Sequence, residues 1–122
     1  MIKNIPLYIP YLDQSDENAI LERIREKWIV GDGPKCREFE KEFANYLGVK
    51  YALLTTSCTA ALDLSFMALG LGSGEVIVPD YTFTSSALAP MLNGLDIKLC
   101  DVEYRTANID PEILEDCITF KN

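Results

Sequence analysis

Two short stretches of the chain carry side chains that could hold a ligand. The first is Leu53-Leu54-Thr55-Thr56-Ser57-Cys58-Thr59-Ala60-Ala61-Leu62, where an apolar run passes through a polar turn into a helical pattern whose first turn holds only small residues. The first amides of a helix have no internal acceptor and lie at the positive end of its dipole, so such a turn suits an anion, above all a phosphate. Ser57 and Thr59 would add hydroxyl donors. The same pattern also describes a plain helix start, with Ser57 as cap and small residues packing against a sheet. The second stretch, Pro79-Asp80-Tyr81-Thr82-Phe83-Thr84, follows an apolar run and sets hydroxyls and two aromatics where ligands bind in open α/β sheets. There Phe83 could stack on a flat ring, or it could be a core residue at a helix start. Together the two stretches suit a ligand that is both planar and phosphorylated.

The elements that must position these residues can be read from periodicity. The runs 51–55 (YALLT), 75–79 (EVIVP) and 96–101 (DIKLCD) have the length and residue types of strands, and stretches with helical spacing separate them. Alternating strands and helices predict an α/β fold with a mostly parallel sheet. Ahead of them, Ser15 is expected to cap a helix with Asp16 and Glu17 in its first turn and Ile20, Leu21, Ile24 and Trp28 on one stripe, ending at Gly31. A second helix is expected from Pro34, with Phe39, Phe43, Tyr46 and Leu47 as its stripe and Gly48 as its stop. Asp110-Pro111 predicts a third helix start, followed by Ile113, Leu114, Cys117 and Ile118.

Composition narrows the function. With 11 Lys+Arg against 19 Asp+Glu the chain carries a formal charge of −8, which repels a phosphate backbone, so no nucleic-acid partner is expected. The longest uncharged run, 81–95, falls short of the roughly 20 residues of a bilayer span and contains Pro90, Asn93 and Gly94. The first residues lack the pattern of a secretory leader, so the expected setting is cytoplasmic with no membrane partner. Histidine is absent, which removes every Ser-His or Cys-His nucleophile pair. The cysteines, Cys36, Cys58, Cys100 and Cys117, have no zinc-ligand spacing, so no metal is expected. Cys58 is expected to be a small packing residue rather than a reactive thiol.

The order of these motifs resembles a known family. GDGP, then FEKEFANYLGVKYALLTTSCTAALDLSFMALGLGSGEVIVPDYTFTSSA, then NGLDIKLCDVEYRTANIDPEILE, is similar to the N-terminal part of the pyridoxal-phosphate-dependent nucleotide-sugar aminotransferases, the DegT/StrS group. The resemblance implies that Thr59 and Ala60 hold the phosphate of pyridoxal 5′-phosphate, Thr59 also through its hydroxyl, and that Phe83 stacks on the pyridine ring; Ser57 and Cys58 of the same turn complete the expected cofactor-binding set. It further implies a fold type I transferase, a homodimer, and transfer of an amino group from glutamate to a keto group of a nucleotide-linked deoxy sugar in polysaccharide or lipopolysaccharide biosynthesis. Cys58 stands where most members have glycine. The S-C-T triplet also occurs in a branch acting on dTDP-linked 4-keto-6-deoxy sugars, toward which the resemblance leans. The turn GLGSGEVIVP lacks the aspartate usual after its second glycine.

Transaminase chemistry needs a lysine that bonds to the cofactor and then moves protons, and an acid beside the pyridine nitrogen. In the family both lie further along than residue 122, so none of Lys3, Lys27, Lys35, Lys41, Lys50, Lys98 and Lys121 is assigned as catalytic. Asp101 reads as a strand-end cap rather than the pyridine partner. The expected organisation is a helical segment over 1–48 and the first half of the cofactor-binding large domain over 49–122, with the rest of that domain and a small C-terminal domain absent. The sheet is then incomplete: 51–55 is not expected to pair with 75–79, and apolar surface is left open. Such a piece is expected to be inactive alone. The rival reading is an autonomous small α/β module that binds a phosphorylated ligand or assembles with another chain.

Overall fold

The computed structural model describes residues 4–118, so Lys3 and Lys121 lie outside the described residues. The chain divides between Leu53 and Leu54 into two compact units. The first contains helices α1 (Gln14–Arg25) and α2 (Pro34–Leu47). Asp13, not Ser15, caps α1. Its carboxylate accepts the Ser15 N–H at 2.7 Å, and Asp16 accepts the Asp13 N–H at 2.9 Å. This reciprocal arrangement satisfies two amides at once, which a Ser15 cap two residues later could not do. The helix also ends earlier than its apolar stripe. Lys27 adopts a left-handed conformation (φ 58°), and the Trp28 N–H returns to the Arg23 carbonyl, closing the last turn before Trp28. In α2 the expected features are present. Pro34 occupies its first turn, Gly48 ends it, and Phe39, Phe43 and Tyr46 stack in series with ring centroids 5.5 and 6.4 Å apart.

The second unit contains α3 (Cys58–Leu69), β1 (Glu75–Pro79), α4 (Ser85–Leu92), β2 (Asp96–Cys100) and α5 (Pro111–Cys117). Strands β1 and β2 pair in parallel, Glu75 opposite Asp96 through Pro79 opposite Cys100, with α4 as the crossover between them. The Asp80 N–H donates to the Cys100 carbonyl at 3.0 Å and carries the pairing one residue beyond β1. Helix α3 packs on α4, α4 on both strands, and α5 on β2. Asp110 caps α5 by accepting the Glu112 N–H at 2.9 Å, as its place before Pro111 predicts. Asp101, at the end of β2, accepts the Asp110 N–H through its carbonyl at 3.1 Å.

The expected strand at 51–55 is not formed; this segment is irregular. Strand-forming residue types do not make a strand by themselves, because the extended backbone is stabilised by a neighbouring ladder, and β1 pairs with β2. Burial is sparse. In the second unit Val78, Ala89, Pro90, Leu95, Cys100 and Cys117 are buried, whereas Leu64, Met67, Leu69 and Leu99 are exposed. By strand alternation Val78 and Cys100 face opposite sides of the sheet. Burial pushes the Cys100 thiol above its ordinary value, and a hydrogen bond with Cys117 of α5 adds to the shift.

Candidate functional site

The first turn of α3 is built from its cap outward. Ser57 is extended (φ −164°, ψ 161°), and its hydroxyl oxygen accepts the Ala60 N–H at 3.1 Å. The Thr55 hydroxyl donates to the Ser57 carbonyl at 2.8 Å, which braces the turn from its other side. That carbonyl also accepts the Ala61 N–H at 3.0 Å, the first intrahelical bond. The amides of Cys58 and Thr59 therefore precede the ladder and face outward at the positive end of α3, the donor arrangement that an anion requires. Ser57, Cys58 and Thr59 are exposed, and Ala60 is half-buried. Cys58 is thus an exposed free thiol rather than the packing residue expected.

Phe83, 73% exposed, lies on the loop from β1 to α4. Its carbonyl accepts the Ser86 N–H at 3.0 Å, so its backbone is tied to the first turn of α4. Beside it the hydroxyls of Thr82 and Ser86 are 3.0 Å apart and hydrogen-bonded. The ring is presented at the surface, not in a core.

Whether these two pieces share one end of the unit follows from the opposite end. The loop after α3 meets the loop after α4: a Cβ placed on Gly94 would stand 3.7 Å from the Gly72 carbonyl oxygen, and the Asp96 N–H donates to the Gly74 carbonyl at 2.9 Å. Both helices therefore finish at the amino end of the parallel strands. Since α3 packs along α4, the two run in the same sense, and the start of α3 and the Phe83 loop both lie toward the carboxyl end. Carboxyl ends of parallel strands are where open α/β sheets bind ligands. The anion-facing amides, the Thr59 hydroxyl and an exposed aromatic ring at one end are a donor set that fits a phosphorylated planar cofactor.

One element of this arrangement has no signal in the sequence. Asn93, which caps the C-terminus of α4, donates its side-chain amide to Asp63 Oδ1 of α3 at 2.8 Å and to the Ala89 carbonyl at 2.8 Å. The partners are 30 positions apart. Among the described residues no group of three or more His, Cys, Asp or Glu side chains could hold a metal ion, and no helix is long and apolar enough to cross a membrane.

Comparison with known proteins shows the family and the fold. The model of the DegT/DnrJ/EryC1/StrS aminotransferase family matches residues 10–122. The chain is 38% identical to the spore coat polysaccharide biosynthesis protein SpsC of Bacillus subtilis, across 94% of this chain and 30% of that protein. It is 40% identical to GDP-perosamine synthase of Caulobacter vibrioides, across 97% of this chain and 32% of that one. Among solved structures, the E. coli GDP-4-keto-6-deoxy-D-mannose-3-dehydratase with bound hydrated PLP superposes with a TM-score of 0.86 at 28% identity, covering 96% of this chain and 32% of that enzyme. The chain thus spans about a third of the length of the relatives it matches. Its α/β arrangement, helices around a parallel strand pair, is that of the corresponding part of a PLP-dependent enzyme.

Proposed function

Because the chain belongs to the DegT/DnrJ/EryC1/StrS aminotransferase family, we propose that it supplies the phosphate cup and ring-stacking face for pyridoxal 5′-phosphate in a sugar aminotransferase. The observation that carries this reading is the start of α3, where Ser57 takes up the Ala60 amide and leaves those of Cys58 and Thr59 facing outward, at the same end of the unit as Phe83. When bound, the pyridoxal ring supplies an electron sink for the carbanionic charge that amino transfer generates. The residues of this chain bind and orient. The Cys58 and Thr59 amides and the Thr59 hydroxyl hold the phosphate dianion, Ala60 leaves it room, and Phe83 covers one face of the ring and excludes water from it.

The reaction proposed for the whole protein is transfer of an amino group from glutamate to a keto group of a nucleotide-linked deoxy sugar, by a homodimer in the cytoplasm, toward polysaccharide or lipopolysaccharide synthesis. The relative from B. subtilis, named for spore coat polysaccharide biosynthesis, supports the pathway class. A dTDP-linked 4-keto-6-deoxyhexose is the finer proposal and rests on the Ser57-Cys58-Thr59 triplet; the nucleotide in the name of the C. vibrioides relative is GDP. The helices and strands of this chain contribute no lysine to the cofactor cup, so it is proposed to be inactive by itself.

Titration of the chain with pyridoxamine 5′-phosphate tests the reading, since this compound has the ring and phosphate but no aldehyde to react with surface lysines. Saturable binding that inorganic phosphate displaces is expected. No binding would overturn the proposal, and binding no tighter than that of phosphate itself would favour a general phospholigand module.

A further inference from the structure

We infer that Asp63 and Asn93 are positioning residues, whose hydrogen bond sets the phosphate cup and the Phe83 ring at a fixed spacing; this rests on the function proposed above. The bond closes a frame across two helices. Thr59 and Asp63 are four residues apart on α3, so they share a face one turn from each other. Phe83 is tied to the first turn of α4 through the Ser86 N–H, and Asn93 to its last turn through the Ala89 carbonyl. The 2.8 Å bond from Asn93 to Asp63 Oδ1 then joins the two rods. Apolar contact between α3 and α4 is non-directional and permits sliding, whereas a hydrogen bond loses strength steeply with misalignment, so this bond sets the register between the helices. A two-pronged ligand senses that register. A phosphate alone does not.

The chemistry of Asp63 supports the assignment. A carboxylate one turn from an anion cup works against anion binding by Coulomb repulsion. Its engagement with Asn93 orients one carboxylate oxygen onto α4 and gives the charge a structural use. Asparagine at the same position would keep an acceptor oxygen for Asn93 and remove the repulsion.

The test is to measure, in the full chain, dissociation constants for pyridoxamine 5′-phosphate and for inorganic phosphate in the unaltered protein and in Asp63→Ala, Asn93→Ala and Asp63→Asn, with a circular dichroism melt of each. For both alanine variants the cofactor analogue is expected to bind about tenfold more weakly, within the usual range of coupling between linked sites. Phosphate affinity should fall by no more than about twofold, because the cup itself is intact. Asp63→Asn should bind both ligands at least as well as the unaltered protein. Analogue affinity in both alanine variants equal to that of the unaltered protein would overturn the inference, as would a parallel loss for the two ligands. Should Asp63→Ala fail to fold, Asn93→Ala decides by the same criteria. Failure of the unaltered chain to bind the analogue at all would instead overturn the proposed function and this inference with it.

Discussion

The Ser57 hydroxyl oxygen stands 3.1 Å from the Ala60 amide nitrogen, and through that one bond the cap of α3 both holds the helix start and leaves two amides facing outward. Fold and site thus depend on the same atom. Substituting Ser57→Ala leaves the Ala60 amide without its acceptor and should destabilise the unit by about 1 kcal/mol, the usual cost of losing a serine cap. Urea unfolding measures this. A change within error would mean that water serves the Ala60 amide equally well.

Thr59 separates binding from folding. Its side chain is exposed and does not cap α3, so Thr59→Val should leave the urea midpoint nearly unchanged. A hydrogen bond to a charged partner is worth about 1.5–3 kcal/mol, so affinity for pyridoxamine 5′-phosphate should fall roughly tenfold or more. Isothermal titration decides it. Unchanged affinity would remove Thr59 from the cup.

Phe83 should contribute to the ring and not to the phosphate. For Phe83→Leu the loss of aromatic stacking, about 0.5–1.5 kcal/mol, predicts a several-fold loss of affinity for the cofactor analogue. Inorganic phosphate should bind as before. An equal loss for both ligands would show that the β1–α4 loop shapes the cup itself.

Cys100 predicts an alkaline limit to stability. Its thiol is buried beside Cys117, and desolvation, then the Cys117 hydrogen bond, hold it protonated above the ordinary value of 9.0. A thiol whose folded value is raised binds its proton more tightly in the native state, so its stabilising contribution is complete below the unfolded value and is lost as pH rises through the folded one. The urea midpoint should therefore decline above about pH 9, and decline less steeply in Cys100→Ala. Parallel slopes for the two proteins would refute this.

Much of the second unit is legible in local sequence. Ser57 caps α3 and Asp110-Pro111 opens α5, because each cap depends on residues a few positions apart, and the residue types of EVIVP and DIKLC mark β1 and β2. The start of α1 is not fixed by residue type alone. Asp13 and Ser15 are both good caps, and only the reciprocal bond with Asp16 selects Asp13. The family is legible too, since its motifs lie in order along the chain and the match covers residues 10–122.

What periodicity could not provide is every relationship that joins distant positions. Tyr51–Thr55 has the residue types of a strand, but a strand exists only where a neighbour shares its hydrogen bonds, and no local pattern reports which neighbour that is. The sense of α3 against α4, which brings the anion-facing amides to the end where Phe83 is presented, depends on the meeting of Gly72 with Gly94. The Asp63–Asn93 bond spans 30 residues with no motif to announce it. The sequence alone determined the site's residue types and its local turns, because backbone amides and caps act within one helical turn. The tertiary structure decided which ends of those elements meet, because packing and directional hydrogen bonds between helices act across space and not along the chain.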